Sequence, residues 1–149
     1  MRAAITLTIM LGLSLSGASA QDAAKKAEAA KKEMEALEGT WVAVAATRDG
    51  EQAPEDRLQT IKLVFKANQV THRQTGKYEL DPAEKPKSID IKPLEDTDAE
   101  KIIKGIYEIK GDELTVCVSM PGKERPTEFA SKPGSGTALL VLKKAKASN

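Results

Sequence analysis

From Gly39 onward apolar and polar positions alternate with a period of two, whereas the stretch before it follows the longer period of a helix. Trp41, Ala43, Ala45 and Thr47 fall on one face of a first strand and Val42, Val44, Ala46 and Arg48 on the other, and Asp49-Gly50 supplies a turn. Residues 54–59 hold one helical turn. Ile61, Leu63 and Phe65 share the next strand face opposite Lys62 and Lys66, and Ala67-Asn68 turns the chain into a strand over 69–74. A short strand over 76–80 carries Tyr78 and Leu80 on one side and ends at Asp81-Pro82. Ile89 and Ile91 then alternate with Asp90 and Lys92 up to Pro93. An acidic loop over 94–101 leads into a strand over 102–110 with Tyr107 and Ile109 on one face. Gly111-Asp112 is a hairpin signal, and Leu114, Val116, Val118 and Met120 share a face of the strand that follows. A loop rich in charge and proline, 121–126, precedes a short extended piece over 127–129, and the glycine-rich run 132–136 leads to a last strand over 137–144.

That pattern gives a mainly β domain of about eight antiparallel strands joined in sequence by short turns. Eight such strands can close into a barrel, and an open sandwich is the alternative. Closure is favoured because it leaves no unpaired strand edge.

The segment before Gly39 divides in two. Arg2, an apolar run from Ala3 to Leu15, and the small residues Ala18, Ser19 and Ala20 have the order of a signal peptide cut after Ala20. A retained anchor would need about 20 apolar residues, and this run is shorter and broken by Thr6, Thr8, Gly12 and Ser14. No cysteine lies near the cut to carry lipid, so no stable membrane anchor is expected after removal. From Asp22 to Glu38 the chain is mostly Ala, Lys and Glu, strong helix formers, with Ala23, Ala27, Ala30, Met34 and Leu37 on one stripe. A mostly alanine stripe buries little, so a solvated spacer is favoured over a coiled-coil seam. The expected organisation is a signal peptide over 1–20, a helical spacer over 21–38, a barrel over 39–144 and a tail over 145–149.

Charge narrows the partners. The chain carries 23 basic and 22 acidic residues, and losing Arg2 with the leader leaves the two balanced. A neutral, mixed surface argues against nucleic acid, which clustered Lys and Arg hold by displacing counterions. It argues equally against docking on anionic lipid. The single cysteine, Cys117, allows no internal disulfide, so an exported fold of this kind relies on packing and hydrogen bonds.

Several passages carry a resemblance. Gly39-Thr40-Trp41, Lys62-Leu63-Val64-Phe65, and the runs 85–90, 105–108, 121–129 and 131–136 resemble a family of secreted planctomycete proteins of unknown function, over residues 37–144. The resemblance implies a periplasmic or extracellular setting in a bacterial envelope and a lipocalin-like β-barrel, and it implies no activity. The Gly-x-Trp of the first strand is similar to that of true lipocalins, whose Trp closes one end of the barrel beneath a basic side chain near the last strand. That likeness gives Trp41 the closing role and Lys143 or Lys144 the basic one. The disulfide usual in lipocalins is missing here.

Candidate chemistry is sparse. His72 is the only histidine and has no neighbouring ligands in sequence, which points to a surface or barrel-mouth residue. Cys117 lies opposite Val116 and Val118 with no helix N-terminus to activate it, and reads as inert packing. Asp96, Asp98 and Glu100 begin like a calcium loop, but Lys101 and Tyr107 stand where the loop needs Gly and Glu. The glycines of 132–136 lack the Walker spacing. No catalytic, metal or cofactor site is therefore expected. Arg125 offers a planar fork to a ligand carboxylate at a barrel mouth, or pairs with Glu124 or Glu128 to pin its loop. Five aromatic residues, Trp41, Phe65, Tyr78, Tyr107 and Phe129, are available to line an interior.

The leading expectation is an exported, noncatalytic barrel that binds a small apolar or amphipathic ligand through Trp41, Tyr78, Tyr107 and Arg125. A filled barrel serving as a structural or protein-interaction module of the envelope comes second. An enzyme using carboxylates at the barrel mouth comes third.

Overall fold

The computed structural model describes residues 17–95 and 99–146. Most of the expected signal peptide, Asp96 and Asp98 of the acidic loop, and the end of the C-terminal tail lie outside the described residues. Among the described residues no helix is long and apolar enough to cross a membrane.

The strands are β1 (Gly39–Arg48), β2 (Glu51–Gln52), β3 (Lys62–Lys66), β4 (Gln69–Thr71), β5 (Thr75–Asp81), β6 (Ser88–Pro93), β7 (Ile103–Lys110), β8 (Glu113–Ser119) and β9 (Thr137–Lys144). Each long strand pairs antiparallel with its neighbour in the order β1-β3-β4-β5-β6-β7-β8-β9, and β9 pairs back onto β1. The result is a closed eight-stranded antiparallel barrel of lipocalin-like architecture. The two-residue β2 folds back on the end of β1 as a flange, followed by the short helix α2 (Glu55–Leu58).

Inward positions follow the alternation read from the sequence, with one correction on β1. Ala43 pairs with Leu142, but Ala45 pairs with Val141, so Val44 is an extra residue in a β-bulge. One inserted residue reverses the facing of everything after it. Ala45, expected beside Trp41 and Ala43, is exposed, while Ala46 and Arg48 move to the inner side opposite Leu140 and Ala138.

Two other expectations change. The strand expected over 69–74 stops at Thr71, because Thr71 already pairs with Thr75 across a tight turn closed by the His72 N–H donating to the Gln74 carbonyl at 3.2 Å. The piece over 127–129 is not a strand. It belongs to a strap over 120–136 that covers the outer faces of β7 and β8, where Ile106 and Cys117 are buried. The strap is held by the Cys117 thiol and the Thr137 hydroxyl donating to the Ala130 carbonyl, by the Ser119 hydroxyl donating to the Glu124 carbonyl, and by the Gly136 N–H donating to Asp49 Oδ1 at 2.7 Å. Pro133 of the strap lies against Gly50, whose φ of +83° and lack of room for a Cβ leave glycine as the residue that fits.

The helix α1 (Gly17–Leu37) precedes the barrel. Its stripe sinks progressively: Ala23 and Ala27 are exposed, Ala30 and Met34 half-buried, and Leu37 buried. Met34 and Leu37 pack on the barrel core. The last turns of α1 are therefore not a solvated spacer but plug one end of the barrel, while the apolar stripe of its earlier turns stays in solvent. Lys26 pairs with Asp81 at 2.6 Å and Lys87 with Glu33 at 2.8 Å along the same flank.

The plug is completed by two barrel side chains that satisfy the helix's final carbonyls, groups with no partner inside a helix. Trp41 Nε1 donates to the Leu37 carbonyl at 2.7 Å, and Lys144 Nζ donates to the Ala36 carbonyl at 3.2 Å. The same ammonium lies 5.3 Å from the Trp41 ring centroid, so Lys144, not Lys143, is the basic partner that the lipocalin likeness implied. A cation here also faces the negative end of the helix dipole, and α1 has no basic residue of its own in its last turn.

Candidate ligand-binding site

The interior is filled at one end and open at the other. Along β8 the inward residues go from Leu114 and Val116, 0% and 3% exposed, through half-buried Val118 to Met120 at 42% just beyond the strand. Neighbouring β9 runs from buried Leu142 to half-buried Leu140 and Ala138. On β1, past the bulge, buried Trp41 and Ala43 give way to half-buried Ala46 and exposed Arg48. Three adjacent strands thus lose cover in the same direction, away from α1.

At that end lies an open cavity of about 820 Å3, within the size range of small-molecule sites. Its floor is apolar: Ala46, Ile61, Leu63, Ile103, Val118 and Leu140. Its rim is polar, with Arg48, Arg57, His72 and Arg73 beside Asp49 and Glu51. Arg48 reaches past β9, its Nη2 lying 4.0 Å from Met120 Sδ. Arg57 comes from α2, which the Leu58 side chain anchors on the core. His72 and Arg73 sit in the β4–β5 turn, where His72 Nδ1 bonds the Lys62 carbonyl at 3.1 Å. A carbonyl only accepts, so that nitrogen carries the hydrogen and Nε2 is left for other partners.

The four residues expected to bind ligand are elsewhere. Trp41, Tyr78 and Tyr107 do point inward, but they fill the closed end and are buried. Tyr78 packs edge-on against Phe65 with centroids 5.2 Å apart and donates its hydroxyl to the Ala67 carbonyl. Burial, with the Glu38 charge second, pushes its phenol up to about 12. Burial first and Glu33 second also push the Tyr107 phenol up. Phe129 is in the strap, so among the described residues no aromatic side chain lines the cavity.

Arg125 is outside the barrel. Its guanidinium pairs with Asp90 at 2.7 Å and donates to the Gly105 carbonyl at 2.8 Å and the Ile89 carbonyl at 3.3 Å, pinning the strap across β6 and β7. The pinning role stands, with Asp90 as partner in place of Glu124 or Glu128. Glu128 instead pairs with Lys132 at 2.8 Å. Burial pushes the Cys117 thiol up, as inert packing requires, against a smaller opposing effect of its bond to Ala130. Among the described residues no three His, Cys, Asp or Glu side chains group as metal ligands.

Comparison with protein-family models, curated proteins and solved structures gives no match for the chain. The class is therefore set by the molecule itself: a lipocalin-like barrel, plugged by a helix at one end and open over an apolar floor at the other.

Proposed function

We propose that this protein is an exported, noncatalytic barrel that holds a small apolar or amphipathic molecule in its open end. The graded loss of cover along β8, β9 and β1 supports this reading most. Water at an apolar floor is costly at about 25 cal/mol per Å2, so a ligand seated there gains what the closed end already gains from Trp41 and the tyrosines. The exported setting rests on the leader and on the sequence resemblance. The filled closed end speaks for the structural-module reading, in which the mouth stays empty.

Native mass spectrometry of protein purified from its own host separates the two. A reproducible adduct of small-molecule mass is expected, lost in Ala138→Trp, whose indole would occupy the cavity. Bare protein mass from the host, persisting after incubation with fatty acids and isoprenoids, would overturn the ligand reading in favour of the filled module.

A further inference from the structure

The arginines of this chain are unevenly placed. Arg2 belongs to the expected leader and Arg125 clamps the strap, while Arg48, Arg57 and Arg73 all surround the cavity mouth together with the only histidine. Among the described residues no lysine lines the cavity, although lysine supplies most of the positive charge elsewhere. Three separate elements contribute them: β1, α2 and the β4–β5 turn.

Their pairing differs too. Arg125 has a carboxylate and two carbonyls, whereas among the described residues no ion pair within 4.0 Å involves Arg48, Arg57 or Arg73. Two acids share the rim. Asp49 Oδ1 is engaged by the Gly136 N–H, and Glu51 stands opposite Arg48 in register. The guanidiniums outnumber them, and each offers a planar fork of donors suited to carboxylate or phosphate oxygens.

Resting on the ligand reading above, we infer that the molecule held in the mouth is an amphiphile with a single anionic head, a carboxylate or phosphate monoester. Its apolar body lies on the floor of Ile61, Leu63, Val118 and Leu140, and its head lies at the rim among Arg48, Arg57 and Arg73. The β1 bulge is part of this arrangement, because it turns Arg48 to the inner side of the barrel. The rim is solvated, so the head contributes selectivity more than affinity and does so less as salt rises.

Isothermal titration with decanoate, decyl phosphate, decanol and decylamine tests this on the wild type and on the combined variant Arg48→Gln, Arg57→Gln, Arg73→Gln. Both anionic probes are expected to bind the wild type about tenfold tighter than decanol or decylamine, about 1.4 kcal/mol. In the combined variant that preference is expected to disappear while decanol binding is retained. Decanol or decylamine binding the wild type as tightly as decanoate would overturn the anionic head and leave the ligand reading standing. A preference that survives in the variant would overturn the assignment to these arginines. Failure of all four probes would overturn the ligand reading and this inference with it.

Discussion

Trp41→Ala is expected to melt on the order of 10–20 °C below the wild type, or to accumulate poorly. Truncating a buried tryptophan costs about 3–5 kcal/mol, each worth about 3–4 °C in a domain of this size. Trp41 has 0% exposure and joins Leu37, Phe65 and Leu142 in the core. Its loss also leaves the Leu37 carbonyl without its donor. With total stabilities of about 5–15 kcal/mol, such a loss is a large share of the whole. Thermal unfolding followed by circular dichroism checks it, and a midpoint unchanged within ~2 °C would show that the indole does not close the barrel.

Leu37→Ala is the second large effect, about 2–5 kcal/mol, because this side chain is 1% exposed and, with Met34 packed beside it, carries α1 into the barrel core. Its control is Ala27→Glu on the same helical stripe, ten residues earlier and exposed, where the midpoint is expected to stay put. Equal, negligible shifts in the two variants would return α1 to the role of a spacer.

The sequence pattern carries the fold further than the site. Alternation located every long strand because each buries one face on a common interior, and turn residues such as Asp49-Gly50 and Gly111-Asp112 mark chain reversals with left-handed backbone at Asp49 and at both glycines. Two local irregularities escaped it. The bulge at Val44 sits in a run of valine and alanine whose residues suit either face, so alternation there has no strong phase. The docking of α1 escaped because an alanine stripe looks soluble, although Met34 and Leu37 at its end were the signal of a plug.

The residues around the cavity mouth were harder to read for a different reason. Arg48, Arg57 and Arg73 come from three elements of a chain with balanced charge, so composition hides a cluster that only closure of the barrel assembles. Trp41, Tyr78 and Tyr107 have the aromatic character of a ligand lining, yet their size makes them filling for the plugged end. Arg125 lies 35 positions from Asp90, a separation at which pairing is set by strand order and not by sequence proximity. The same division of the interior bears on the fluorescence of Trp41, the only tryptophan. It sits beneath α1, so its emission is expected to be blue-shifted and to respond weakly to a molecule bound at the far end.

The division between a plugged end and a receptive end is tested most directly by backbone and indole chemical shifts of isotope-labelled protein titrated with decanoate. Saturable shifts are expected at Ala46, Leu63, Ala138 and Leu140, with the Trp41 indole and Leu114 amide unmoved. Shifts centred on Trp41 and Leu114, or on the strap around Arg125, with the mouth residues silent, would contradict it.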